Sequence, residues 1–368
     1  MICAFADDFF LKKTFDNFFF HNSKSYICRM KVLRFLLFPF GILYWIITSV
    51  RNFLYDKEFL KSYKTPTPVV AVGNLSTGGT GKSPQTEYLI RLLSDKYRVA
   101  VLSRGYKRKS KGFVLADNNT KVEDLGDEPF QFFTKFKNVL VAVDTNRTNG
   151  IQQLLKLETP PEVILLDDAY QHRKVKATTY ILLTAYSDLF CDDFILPIGN
   201  LREPKNGAQR ADFVIVTKCP NNLSENQKET IRKKLSLKSP HQKLFFTRIS
   251  YDEYVFSANS TLKTSEMKQQ TKVLLAGIAK PESFFSFLEN EGDILLKYPD
   301  HHDFSEAEIK IIKQRANGKP IITTEKDYAR IKDKFDNNQL FYLPIKTEFV
   351  DGKKEFDRLI FEIVNSKL

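Results

Sequence analysis

The chain of 368 residues is 42% hydrophobic and 27% charged, which excludes a disordered or collagen-like polymer and leaves room for one large domain or two ordinary ones. Lys and Arg number 56 against 44 Asp and Glu, a net charge of +12; this favours an acidic partner (nucleic acid, anionic lipid or a phosphorylated substrate) and is equally compatible with a plain solvated basic surface. Cys3, Cys28, Cys191 and Cys219 form no C-x-x-C pair, which excludes a dense disulfide framework and points to a reducing compartment.

Residues 1–29 carry aromatic clusters without a period and lack the cleavage site of a signal peptide. Met30 is read as the start, and 1–29 as an extension that is untranslated or disordered. Residues 30–55 are expected to form an apolar, membrane-associated helix. Within them Val32–Val50 would reach about 28 Å as a helix, near the lower limit for crossing a bilayer. Pro39 is expected to interrupt it. The preferred reading is an interfacial anchor, with Lys31, Arg34, Arg51 and Lys57 among acidic head groups and Trp45 in the acyl layer. A buried core helix and a true span are the alternatives.

From Pro68 onward, short apolar strands alternate with helical segments. "PVVAVGN", "RVAVLSRGY", "NVLVAVD", "EVILLDDAY", "TYILLTAY" and "ADFVIVTK" read as strands, and "PQTEYLIRLLSD" as an amphipathic helix. Nearly continuous apolar strands separated by helices imply an α/β fold with a mostly parallel sheet covered on both faces. A polar, lysine-rich segment after Lys218 marks a change of domain. The division expected is a first α/β unit over 56–218, a smaller one over 219–350 and a closing helix in 351–368.

The stretch "VGNLSTGGTGKSP" follows the first strand and precedes the amphipathic helix. It misses the G-x-x-x-x-G-K-[ST] pattern at Ser76, so a glycine-rich turn is the bland reading. Its context favours a phosphate cradle formed by Ser76, Thr77, Gly78, Gly79, Thr80, Gly81, Lys82 and Ser83. The glycines let backbone N–H groups converge on an anion, and the helix start adds partial positive charge. Lys82 would reach the β- and γ-phosphates of ATP and Ser83 would bind Mg²⁺. Asp167 and Asp168 end another apolar strand, where a metal-binding carboxylate belongs; His172 either faces that site or is an ordinary surface histidine. Asp127 and Glu128 before Pro129 are a helix start or the place of a general base. Arg202 is placed to stabilise phosphoryl charge or to form a surface ion pair. "SRGYKRKSKG", with Arg104 and Tyr106, binds an acidic substrate or is a solvated loop. In "YPDHHDF", adjacent His301 and His302 argue against a shared zinc and for a catalytic or orienting histidine.

Taken in order, "GNLSTGGTGKSP", "SRGY", "GDEP", "DDAYQH", "LREP", "DHHDF" and "TTEKD" resemble the tetraacyldisaccharide 4'-kinase family, the lipid A 4'-kinases, from about Met30 to the end of the chain. The resemblance implies two α/β/α domains with a P-loop NTPase-like sheet in the first. It also implies transfer of the γ-phosphoryl of ATP to the 4'-hydroxyl of a lipid A disaccharide precursor, on the anionic cytoplasmic face of a Gram-negative inner membrane. By the same resemblance Lys82 and Ser83 are the loop lysine and Mg²⁺-binding hydroxyl, and Asp168, with Asp167 beside it, is the metal carboxylate. Asp127 is the base, assisted by His301, while Tyr106, Arg104, Arg147 and Arg202 line the phosphate or substrate region. Ala169 stands where the family usually has glycine, Asn200 where proline is common, and Ser83 where threonine is.

Two other classes fit parts of the pattern: a P-loop GTPase or metallochaperone, though "VTKCP" and "TEKD" do not make the N-K-x-D guanine motif, and a membrane-associated ATP-binding scaffold. Dispersed basic residues without helix-turn-helix or finger spacing argue against nucleic acid. No obligate protein partner is inferred.

Overall fold

The computed structural model describes residues 37–366 except 238–240, 301 and 337. The expectations for 1–29 and for His301 lie outside the described residues, as does the first part of the 30–55 segment.

The chain enters with helix α1 (Phe38–Asp56). Pro39 does not interrupt it but sits in its first turn, where no N–H donor is needed. Gly41, Thr48 and Asn52 are buried against the protein, whereas Phe40, Leu43, Trp45, Ile47 and Val50 are each more than half exposed. A wholly buried core helix is therefore excluded. No helix among the described residues is long and apolar enough to cross a membrane.

The next elements are β1 (Val69–Asn74), α2 (Lys82–Leu93), β2 (Val99–Ser103), β3 (Val114–Leu115), α3 (Val122–Leu125), α4 (Asp127–Lys135), β4 (Leu140–Val143), α5 (Arg147–Leu155), β5 (Val163–Leu166), β6 (Thr179–Ala185), β7 (Phe213–Thr217), α6 (Glu225–Leu235) and β8 (Lys243–Tyr251). Then follow β9 (Tyr254–Phe256), β10 (Thr261–Lys263), α7 (Thr264–Gln269), β11 (Val273–Ala276), α8 (Glu282–Leu288), β12 (Ile294–Lys297), α9 (Glu306–Ala316), β13 (Ile321–Thr324), α10 (Glu325–Ile331), β14 (Leu340–Leu343), β15 (Ile345–Phe349) and α11 (Lys353–Asn365).

Among the described residues these strands form two sheets. The larger has nine strands in the order β15-β8-β7-β6-β1-β5-β2-β4-β3, parallel throughout except for the edge strands β15 and β3. The smaller has six, β10-β9-β14-β13-β11-β12. β1, β2, β5 and β7 are buried along their whole length, as their unbroken apolar runs require in a sheet covered on both faces. Side chains alternate between the two faces. Val70, Val72, Val101 and Leu165 pack with Leu89 and Leu93 of α2, Phe132 of α4 and Phe356 and Ile360 of α11. Val69, Ala71, Leu102 and Ile164 pack on the other face with Ile151 and Leu154 of α5.

The sheets divide the chain differently from the boundary expected at 218/219. β8 and β15 both pair into the larger sheet, and α11 packs on its core. The smaller sheet holds only strands from Tyr254 to Leu343. Strand character alone could not show this, because β15 joins β8 by antiparallel pairing across nearly a hundred residues.

Candidate active site

The carboxyl ends of the parallel strands form one rim of the larger sheet, where such folds bind ligands. β1 runs into the glycine loop there. Gly78 (φ 120°) and Gly81 (φ 85°) occupy backbone conformations that disfavour side chains, and Gly81 caps α2. The loop is tied down from several sides. Asn74 Nδ2 donates to Thr80 Oγ1 at 2.9 Å, Thr217 Oγ1 to the Thr80 carbonyl at 2.7 Å and Thr77 N to the Asn200 carbonyl at 2.7 Å. Ser76 forms a β-bridge with Leu201. Extended backbone needs no glycine, which explains the departure from the strict pattern.

β5 delivers Asp167 and Asp168 to the same rim. Asp168 takes the left-handed conformation (φ 46°). Ala169 does not share it, so the methyl at the usual glycine position carries no backbone strain. Arg202 Nη1 donates to both Asp168 oxygens, at 3.0 and 3.2 Å, and Lys82 Nζ stands 3.7 Å from Oδ1. Asp167 is buried, accepting from Thr86 Oγ1 at 3.2 Å and Ser103 Oγ at 3.4 Å. Burial, reinforced by Glu128 and Asp168, pushes its pKa up to about 7.

α4 starts after Gly126 (φ 89°) and places Asp127 and Glu128 in its first turn. Glu128 Oε1 accepts from Ser83 Oγ at 3.2 Å. Asp127 faces the smaller sheet's side, where Arg330 Nη2 of α10 donates to its Oδ2 at 3.0 Å. Lys326, one turn earlier on α10, stands 3.9 Å from Glu128 Oε1. The same interface holds Lys135, whose ammonium lies 2.7 Å from Glu87 Oε2 and 2.7 Å from Glu325 Oε1. Burial, then the nearby Glu87, raises the pKa of Glu325.

The three expected substrate residues are not alike. Arg147 is buried at the start of α5, donating to the backbone carbonyls of Asp144 (3.1 Å) and Asp167 (3.5 Å). Burial pulls its pKa down to about 10, against the opposing pull of Asp167 and Asp168. Arg104 is exposed yet near enough to repel Arg147, while Tyr106 is 73% exposed. His172 belongs beside Arg147: burial first, then that arginine, lowers its pKa to about 4, and its Nε2 is buried without a hydrogen-bond partner. His302 is tied to Glu308, with Nε2 2.9 Å from Oε1, and packs on Tyr298 and Phe304.

Sequence reasoning missed the residues that reach the rim from far away. Tyr44 of α1 donates to the Arg202 carbonyl at 2.9 Å. Asn52 Nδ2 donates to Glu203 Oε2 at 2.7 Å, and this fully buried carboxylate also accepts from Gln171 Nε2 (3.0 Å) and Arg210 Nη2 (2.8 Å). Gln171 Nε2 continues to the Asn74 carbonyl at the mouth of the glycine loop, at 2.8 Å. The available signal was the polar residues Tyr44, Thr48 and Asn52, spaced four apart on one face of an otherwise apolar helix.

Residues 33–365 match the family described as tetraacyldisaccharide-1-P 4'-kinase, LpxK. The tetraacyldisaccharide 4'-kinase of Flavobacterium johnsoniae is 60% identical over 339 residues, covering 92% of this chain and 99% of that protein. Its counterpart from Flavobacterium psychrophilum is 58% identical, covering 92% and 98%. The "apo" form of LpxK from Aquifex aeolicus, solved in complex with ATP, superposes with a TM-score of 0.72 at 32% identity, covering 90% of this chain and 99% of that one. The glycine loop, the aspartate pair and the α4–α10 contact are thus features of a chain that belongs to the tetraacyldisaccharide-1-P 4'-kinase family.

Proposed function

We propose that this protein transfers the γ-phosphoryl group of ATP to the 4'-hydroxyl of a tetraacylated disaccharide 1-phosphate, a precursor of lipid A. The observation that carries this reading is the convergence of Lys82 and Arg202 on Asp168, beside a glycine-hinged loop at the carboxyl end of a buried parallel strand. The loop amides and Lys82 hold the β- and γ-phosphates, and Arg202 stands ready to leave Asp168 for phosphoryl charge.

The donor set fits Mg²⁺. Ser83 offers a hydroxyl and Asp168 a carboxylate, with the buried Asp167 behind them, and a hard ion that keeps water and phosphate ligands needs no cage of side chains. Among the described residues no group of three or more His, Cys, Asp or Glu side chains forms such a cage. When bound, Mg²⁺ neutralises charge on the phosphate oxygens.

Asp127 is the group that accepts the sugar hydroxyl's proton, with His301 assisting; for this Arg330 must give up the carboxylate oxygen it now holds. Arg147 underpins the aspartate strand end from below, and Arg104 and Tyr106 present a basic and an aromatic surface to the disaccharide. The exposed apolar face of α1 lies in the acyl layer at the cytoplasmic face of the inner membrane of a Gram-negative bacterium, where the acidic surface complements the +12 charge. The test is an ATP assay with the tetraacylated disaccharide 1-phosphate followed by location of the new phosphate. Incorporation at the 4'-position is expected; ATP turnover that does not depend on the lipid would overturn the reading.

A further inference from the structure

The "TTEKD" stretch is the one motif the phosphoryl-transfer reading leaves without a task, and the structure gives its last four residues, Thr324 to Asp327, a place. Thr324 caps α10, its Oγ1 accepting from Asp327 N at 3.3 Å. Glu325 is locked to Lys135 across the interface. Asp327 is fully buried, accepting from Gly277 N at 2.9 Å and Thr324 Oγ1 at 2.7 Å. With its neighbours on either side pinned, Lys326 is aimed at the glycine-loop rim.

There its ammonium stands 3.9 Å from Glu128 Oε1, the same oxygen that accepts from Ser83 Oγ at 3.2 Å. One carboxylate therefore separates Lys326 from the hydroxyl that follows the loop lysine. The Lys326–Glu128 pair is solvent-exposed on both sides, 43% and 39%, and such a pair between flexible side chains is weakly held. Arg330, in contrast, is only 20% exposed and contacts both Asp127 and Asp327. Lys326 is the member of the α10 pair that can change partners at little cost.

The surroundings are rich in cations. Lys218 at the end of β7 donates to the Gly79 carbonyl at 2.6 Å. Burial and then the charges of Lys280, Lys326 and Lys82 lower its pKa. Ammonium groups from both sheets thus gather around one loop, an arrangement that repels itself until a polyanion enters.

We infer that Lys326 is a catalytic residue of the phosphoryl transfer: it exchanges Glu128 for the γ-phosphoryl oxygens of bound ATP and carries charge stabilisation to them from the smaller sheet's side. A cation supplied from a separate structural unit in this way resembles in principle the finger residues of other P-loop enzymes. This rests on the kinase reading above, and the two fail separately. Wild-type protein that forms no 4'-phosphate sinks the kinase reading, whereas the inference about Lys326 is judged only against an active wild type.

The experiment compares wild type, Lys326→Ala and Lys326→Arg in kcat with the lipid disaccharide, in equilibrium affinity for ATP and ADP, and in thermal unfolding. The expected result for Lys326→Ala is a kcat about 10²–10³-fold lower, with ATP affinity reduced more than ADP affinity and an unchanged Tm; Lys326→Arg should recover most of the activity. A kcat within about threefold of wild type would overturn the inference. So would a loss of activity with the ATP-to-ADP affinity ratio unchanged, because that would mean α10 had merely been disturbed.

Discussion

Asn52, on α1, donates a 2.7 Å hydrogen bond to Glu203, which lies fully buried next in sequence to Arg202. Helix α1 and the rim of the glycine loop are therefore parts of one polar network, continued through Gln171 to the mouth of that loop. Asn52→Leu removes one of three partners of a buried carboxylate, and the loss is expected to cost about 1–3 kcal/mol. Thermal unfolding should register it. Activity on detergent-dispersed substrate should fall as the Arg202 loop loosens, while partition to vesicles stays as in wild type. Unchanged activity would mean that the Asn52–Glu203 link does not support the Arg202 loop.

The exposed face of α1 makes the opposite prediction. Replacing Phe40, Leu43 and Ile47 together with serine leaves Tyr44, Thr48 and Asn52 in place. Co-sedimentation with acidic phospholipid vesicles should drop sharply while ATP affinity is retained. Vesicle binding at the wild-type level would show that this face does not enter lipid.

Lys82→Ala should nearly abolish phosphoryl transfer without unfolding the protein, since Lys82 pairs with Asp168 at the rim and is not part of the hydrophobic core. Asp127→Ala should slow the chemical step about 10²–10⁴-fold, measured by single-turnover phosphate transfer. An Asp127 variant affected only in ATP affinity would reassign that residue to nucleotide binding.

His172 gives a pH test. Its folded pKa, about 4, lies below the ordinary value of 6.5, so between these pH values the unfolded chain binds more protons than the folded one. Stability from this residue is fully present above about pH 6.5 and is lost as the pH falls toward 4. His172→Asn should flatten that part of the stability–pH curve in urea unfolding. A curve that keeps its full acid slope would show that the imidazole is not held neutral by its burial near Arg147.

Lys135 sits between Glu87 of α2 and Glu325 of α10. Lys135→Met leaves two carboxylates facing each other in a largely buried place, a change expected to destabilise by roughly 3–5 kcal/mol. Exchange of amide hydrogens along α10 should accelerate before exchange in β1 or β5. Equal protection in the variant would mean that the interface does not depend on this cation.

Much of this was readable in advance where the chemistry is local. The unbroken apolar runs of β1 and β5 announced buried parallel strands, and the loop between β1 and α2 announced its glycines and Lys82. Ser76 looked like a flaw until its bridge with Leu201 gave it extended backbone. What the sequence hid was pairing over distance. Asp127 and Arg330 are 203 residues apart, Asn52 and Glu203 are 151 apart, and no period or spacing links such positions. The same holds for β8 and β15, whose strand character was visible but whose sheet was not.

That pairing has a mechanical meaning. The chain leaves the larger sheet after Tyr251 and returns at Ile345, residues that face each other across β8 and β15. The smaller sheet is thus an insertion into a hairpin, and a short turn joining those two residues would leave every strand of the larger sheet in place. Both of its covalent tethers emerge side by side at one edge, at the opposite end of the strand order from β3. Lys326 therefore belongs to a unit that is covalently joined to the larger sheet only through that hairpin, and side-chain contacts such as Lys135–Glu325 and Arg330–Asp127 tie it to α4 as well.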